Sequence, residues 1–168
     1  MTGLNSGQTY TFIVRAVDNV GNMAPSAAVT ETVALASEYL RMTITTPDNS
    51  QTVNFGAVDP ATTTTMSTAT TITVSGFSPL SYTLSAQGAD FTGSLGATMP
   101  ASLLSYQMYG AATVPWTSLS NAQQTLATGL GVHGRWQQSY YLDYRVSIPY
   151  TYQPDTYSVP VLYTLVAN

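Results

Sequence analysis

Apolar and polar positions alternate with a period of two along most of this chain, the spacing that gives a β-strand one buried face. Tyr10, Phe12, Val14 and Ala16 alternate with Thr11, Ile13 and Arg15. Asp18, Asn19 and Gly21 follow with turn chemistry, and Val29 to Leu35 reads as a returning strand, so the pattern predicts a hairpin. Leu40, Met42 and Ile44 alternate next and stop at Pro47-Asp48-Asn49, a turn. Thr52 to Pro60 predicts a short strand broken at Gly56 and Pro60. The run from Ala61 to Thr71 has the composition of a Thr-rich linker, but Ile72 and Val74 continue it with period two, so its end is predicted as strand. Tyr82, Leu84 and Ala86 mark the next one.

Between Gly88 and Gly134 the alternation weakens. Ser120 as a cap, apolar Ala122 and Leu126, and Gly129 as a stop predict a short helix there. The end of the chain is the most regular part. Tyr140, Leu142, Tyr144, Val146 and Ile148 share one strand face, with Tyr141, Asp143, Arg145 and Ser147 on the other. Pro149 and Pro154-Asp155 bound a loop, after which Tyr157, Val159, Val161, Tyr163 and Leu165 line one face of a last strand. Pro160 has no N–H for a ladder, which predicts a sheet edge or a bulge at that point.

Leu4, Gly7 and Tyr10 in LNSGQTY, followed by FIVRAVDNVGN, resemble the last three strands of a fibronectin type III domain of the bacterial surface kind. Tyr10 falls at that family's tyrosine-corner position and AVDNVGN at its final hairpin turn. The family's earlier strands and their tryptophan have no counterpart ahead of these residues. The segments VNFGAVDP, YYLDYRVSIP and PDTYSVPVLYTLVAN resemble the C-terminal β-sandwich modules of bacterial wall-associated and pilin-like surface proteins. The expected architecture is therefore all-β: a fibronectin III-like strand segment over residues 1–36, then an Ig-like or jelly-roll β-sandwich over 37–168. Half a sandwich cannot bury its own inner face. The first segment thus calls for completion by the rest of its chain, by a neighbouring copy, or by strands outside this sequence.

Composition narrows the function. Charged residues make up 7% of the 168, against about 25% in ordinary globular domains. Lysine is absent, so the cations are Arg15, Arg41, Arg135 and Arg145, and the net charge is −4. No basic patch is left for phosphates, which argues against nucleic acid as a partner. Cysteine is absent too, which removes disulfides and thiolate metal sites. A hydrophobic content of 44% with 12 tyrosines indicates an ordered core rather than a disordered polar chain. No stretch approaches the roughly 20 apolar residues of a membrane span. The expected setting is extracellular, at a cell surface, and for a secreted protein Met1 is not the expected natural start, because no signal peptide follows it. A surface with few charges also has little to desolvate when copies meet.

Candidate chemistry is sparse. His133 is the single histidine, and no acidic or sulfur ligand lies near it in sequence. Of the carboxylates Asp18, Glu31, Glu38, Asp48, Asp59, Asp90, Asp143 and Asp155, most sit in turn contexts where aspartate bonds its own backbone. A glycosidase pair would need two of them facing across a cleft. Asp143 and Arg145 suit a surface ion pair, and Asp18 with Asn22 offers calcium only a thin oxygen set. Of the many aromatics in the second half, Tyr140, Tyr144, Trp116 and Trp136 are expected to fill a core. The expectation is a protein without catalytic residues, metal or cofactor: a structural subunit of a secreted surface filament or layer, with copies of itself as partners. Tyr10, Phe12, Val14 and Ala16 are the candidate intersubunit strand, joining by β-strand addition. Tyr141, Tyr150 and Tyr152 are the candidate interface or glycan contacts. The alternative is a carbohydrate-binding or adhesive module of a larger surface protein, with cell-wall glycan as the partner.

Overall fold

The structure, a computed structural model, describes residues 9–12, 15–17, 23–25, 29–32, 39–60, 62–77, 80–110, 114–132 and 134–168. It divides into two units, Met1–Ser37 and Glu38–Asn168. The first unit contains β1 (Thr9–Phe12), β2 (Arg15–Val17), β3 (Met23–Pro25) and β4 (Val29–Thr32). β1 runs antiparallel to β4 and β2 antiparallel to β3, so the inner ladder is nested within the outer one as a hairpin requires. Three steps separate Phe12 from Arg15 but four separate Pro25 from Val29. The two ladders are therefore out of register by one residue.

The second unit comprises β5 (Tyr39–Thr45), β6 (Thr63–Phe77), β7 (Ser81–Gly88), β8 (Phe91–Gly93), β9 (Thr98–Met99), a 3₁₀ turn (Ala101–Leu103), β10 (Leu104–Gly110), β11 (Val114–Ser118), β12 (Gln124–Leu130), β13 (Arg135–Ser147), β14 (Tyr157–Ser158) and β15 (Val161–Ala167). A five-stranded sheet has the order β11-β10-β13-β6-β5, and a three-stranded sheet the order β12-β7-β15. A small third sheet, β14-β8-β9, stands apart in the hydrogen-bond pattern. All pairings are antiparallel. Because the chain passes repeatedly from one large sheet to the other, most of the pairing is non-local, and the result is an all-β sandwich.

Alternation decides which side chains meet between the sheets. Tyr140, Leu142, Tyr144 and Val146 of β13 are all buried, as are Tyr82, Leu84 and Ala86 of β7. A buried phenol needs a hydrogen-bond partner, since a hydroxyl left unpaired away from water costs about 1 to 3 kcal/mol. The partners are other tyrosines. Tyr82 and Tyr140 share a hydroxyl hydrogen bond of 2.7 Å, and Tyr144 and Tyr163 share another, so β13 of one sheet is tied to β7 and β15 of the other. Ile72 and Val74 of β6 and Met108 of β10 complete the innermost layer at 0% exposure.

Several sequence expectations change in the structure. Residues 52–60 form no strand. Asn54 Oδ1 accepts the Gly56 N–H at 2.9 Å and Gly56 takes a positive φ, so local bonds replace a ladder while Val53, Phe55 and Val58 still pack on the core. The predicted helix after Ser120 is instead β12. Ser120 Oγ does accept the Ala122 N–H, but the chain then pairs with β7 and buries Leu126 and Ala127. The Thr-rich run is strand from Thr63 onward, because β13 offers it a partner along its length. Pro160 separates β14, which pairs with β8, from β15, which pairs with β7, and among the described residues β15 is a sheet edge.

Burial raises the pKa of Tyr106, Tyr140, Tyr144 and Tyr163, with the hydroxyl bond from Tyr82 adding to the effect at Tyr140. A folded pKa above the unfolded one favours the fold while the phenol stays protonated. This stability is complete below about pH 10, the ordinary tyrosine pKa, and is lost as pH rises beyond it. Urea midpoints measured from pH 8 upward are expected to hold level and then fall above about pH 10. Midpoints that stay level to about pH 11.5 would contradict the buried phenol pairs.

Candidate functional site

A cleft of about 250 Å³ lies where β12 leads into β13, walled by Tyr82, Thr128, Leu130, Gly131 and Trp136. Trp136 stacks on Tyr82 with ring centroids 5.5 Å apart and planes 12° off parallel. The indole is held between two glycines. A methyl group on Gly131 would overlap the ring, and one on Gly76, its cross-strand neighbour, would come within 2.5 Å of Cζ2. This is the close approach for which glycine inside a strand pattern is a signal, legible in the sequence but absent from the expectations above. One ring face that could stack a ligand is thus occupied by Tyr82.

On the outward face of the five-stranded sheet, Arg145 lies 4.5 Å over the Trp116 ring. Tyr109 and Tyr141, opposite one another on β10 and β13, stack at 5.5 Å. Asp143 lies opposite a register break in β6, and its Oδ1 accepts the Thr68 N–H at 2.6 Å. Thr68 there has a positive φ and bonds the Tyr109 hydroxyl. Asp143 therefore stitches a bulge, and Arg145 takes an aromatic partner, instead of the ion pair expected between them.

The sequence-predicted residues take separate places. Tyr141 is stacked as described, Tyr152 packs on the core, and Tyr150 is 74% exposed in a turn, so these three form no common row. Tyr140 and Tyr144 fill the core as expected, while Trp116 and Trp136 are only half-buried. Tyr10 and Phe12 lie in β1 and Ala16 in β2, each strand paired within the chain. Val14, Asp18, Asn22 and His133 lie outside the described residues, as do the side chains of the first unit.

Three of the described carboxylates serve loops. Asp48 accepts bonds from the Ser50 hydroxyl, the Ser50 N–H and the Thr46 hydroxyl. Asp90 binds Asn121 and the Ala101 N–H, and Asp155 binds the Ser94 hydroxyl with the Leu95 and Thr156 N–H groups. Those bonds, foremost from the Ser50, Asn121 and Ser94 side chains respectively, hold all three below the usual carboxylate range. A general acid needs the opposite shift. Among the described residues no group of three His, Cys, Asp or Glu is placed to hold a metal.

What stands open is a sheet edge. β7, β12 and β15 contain no charged residue, whereas Arg41, Arg135, Asp143 and Arg145 all lie on the five-stranded sheet. Leu162 and Val166 project from β15 at 62% and 49% exposure, and among the described residues β15 pairs with β7 alone.

The fold and this edge define an all-β sandwich protein. No protein-family model and no curated protein matches the chain. Among solved structures, the P pilus rod subunit PapA aligns with 76% of this chain and 99% of its own length, at 12% identity and a TM-score of 0.38. A likeness that distant carries neither a topology nor a function to this chain.

Two outcomes test the site description. Gly131→Ala is expected to displace Trp136, costing about 1 to 3 kcal/mol as overpacking does, with a shift of tryptophan fluorescence; an unchanged spectrum and midpoint would refute the sandwiched indole. The three depressed carboxylates contribute stability that is present above the ordinary carboxylate pKa of about 3.9 and is lost as pH falls below it. Amide protection in residues 46–52 and 93–96, taken relative to the intrinsic exchange rate at each pH, is expected to fall below about pH 4, and protection that stays constant between pH 3 and 7 would count against the loop role.

Proposed function

We propose that this chain is a structural module of a secreted cell-surface assembly, a filament or layer, whose copies join by β-strand addition. The observation that supports it is the wholly uncharged β12-β7-β15 sheet with an open edge at β15. Exposed ladders template pairing with another chain, and natural proteins usually guard them with charge or proline. Asp48, Asp90, Asp143, Asp155 and most of the clustered aromatics are engaged in stabilising the fold, which supports a structural rather than an enzymatic reading. Main-chain hydrogen bonds supply affinity in such a joint, and alternating side chains supply register.

Electron microscopy of natively secreted material is the decisive experiment. Ordered filaments or sheets with a constant repeat are expected. Dispersed single particles at every concentration would sink the assembly reading and direct attention to glycan binding instead. Joining through an uncharged edge is also expected to persist at about 1 M salt, where the screening length is only about 3 Å; dissociation by salt would mean that charge holds the copies together.

A further inference from the structure

β15 is a seven-residue edge whose pairing with β7 runs without a shift from Val161↔Gly88 to Ala167↔Tyr82. Just beyond its ends, the Ala89 N–H donates to the Pro160 carbonyl and the Asn168 N–H donates to the Ser81 carbonyl. Successive residues in an antiparallel ladder turn their backbone groups to opposite sides. The even-numbered residues therefore bond β7, and Val161, Tyr163, Leu165 and Ala167 turn N–H and C=O to the open edge. Pro160, which has no N–H, falls on the β7 side, so the open edge loses no donor. β5 of the facing sheet runs close by but does not pair with it.

We propose that this edge pairs with the same strand of a second copy, antiparallel, about a two-fold axis at Thr164. This inference rests on the strand-addition reading above and names its occupant. Thr164 is the midpoint of β15, so in that register every residue of the strand has a partner. Val161 lies opposite Ala167 of the other copy and Tyr163 opposite Leu165, and these are the pairs whose backbone groups face outward. Leu162 lies opposite Val166, so the two exposed apolar residues of each strand cover those of the other. No charged residue occurs in β15, so the strand meets itself without like charges in opposition. The joint is isologous and extends the sheet to β12-β7-β15 followed by β15-β7-β12. By itself it closes a dimer, and a filament would use a second surface.

The chain lacks cysteine, so single substitutions report the register cleanly. Residue 164 meets its own copy at a non-hydrogen-bonded position, where the Cα atoms lie about 4.5 Å apart, within the roughly 4.4 to 6.8 Å that a disulfide spans. Thr164→Cys in the full chain is expected to form a disulfide-linked dimer under mild oxidation. Leu162→Cys alone is expected to stay monomeric on a denaturing gel, because its copies sit about 13 Å apart along the strands, yet to link when mixed with Val166→Cys. Thr164→Lys places two ammonium groups opposite each other and is expected to weaken association about tenfold or more, with the circular dichroism of the folded chain retained. Cross-linking of Leu162→Cys alone as fast as Thr164→Cys would overturn the register. Oligomers that Thr164→Lys leaves intact in sedimentation would overturn the edge assignment while the assembly reading stands. A monomer at every concentration would remove both.

Discussion

Everything in the second unit depends on one face of β13 finding the three-stranded sheet. That face carries Tyr140, Leu142, Tyr144 and Val146, and two of its four side chains bring a hydroxyl into a dry interior. A phenol in such a place stabilises the fold only if its oxygen is bonded. Here each bond runs to a tyrosine of the opposite sheet, Tyr82 or Tyr163. The packing is thus specified as well as favourable, because sliding either sheet would break a hydroxyl pair that water cannot replace. A slip of β13 by one residue would place Asp143 inside and Leu142 outside. The bulge opposite Asp143 opposes such a slip from the other direction: Thr68 has its positive φ and its N–H bond only when Asp143 faces outward at that position.

A chain with so few charges must use each one where hydrogen bonds alone would fall short. Asp48, Asp90 and Asp155 each gather two or three N–H and O–H donors, so a loop is closed by one anion rather than by an ion pair. Arg145 finds its counterpart in an indole face. With the described charges of the second unit drawn to loops and to the five-stranded sheet, the β12-β7-β15 sheet is left with hydroxyls, amides and apolar groups. Its neutrality follows from where the charges are employed.

The pattern of alternation conveyed the all-β class, the hairpin of the first unit, and the buried stripes of β7 and β13, because each is a local consequence of one face being apolar. It conveyed the short pieces poorly. β8, β9, β10 and β11 lie where glycine, proline and serine recur; β8 and β10 are held by partners distant in sequence, as in the seven-residue pairing of β10 with β13, and β9 and β11 add to them as short neighbouring strands. Residues 120–130 met the local rules for a capped helix, yet the ladder to β7 prevailed, tertiary pairing overriding propensity. Gln124 lies at the changeover. Its side chain accepts the Ser120 N–H, a helix-like reach back, while its backbone already belongs to β12. The site was less legible than the fold. Pro160 indicated an edge, but which side of the strand stayed open depends on the parity of its bonds to β7, and only Asn168 and Ala89 fix that.

Edge strands expose the same backbone groups whatever their sequence, so the informative comparison is how the four edges of the two main sheets are guarded. β5 carries Arg41 on its outward face. β11 contains Pro115, and β12 has a register break between Thr125 and Ala127 with Gly129 near its end. Each of these is a recognised obstacle to adding another strand. β15 has none: no charge, no proline, no glycine and no bulge, and its exposed side chains are leucine, valine and alanine. A uniformly careless surface would leave several edges bare. Protection of three edges beside an unguarded fourth is the distribution expected where one ladder is meant to be continued, and it singles out β15 before any partner is specified.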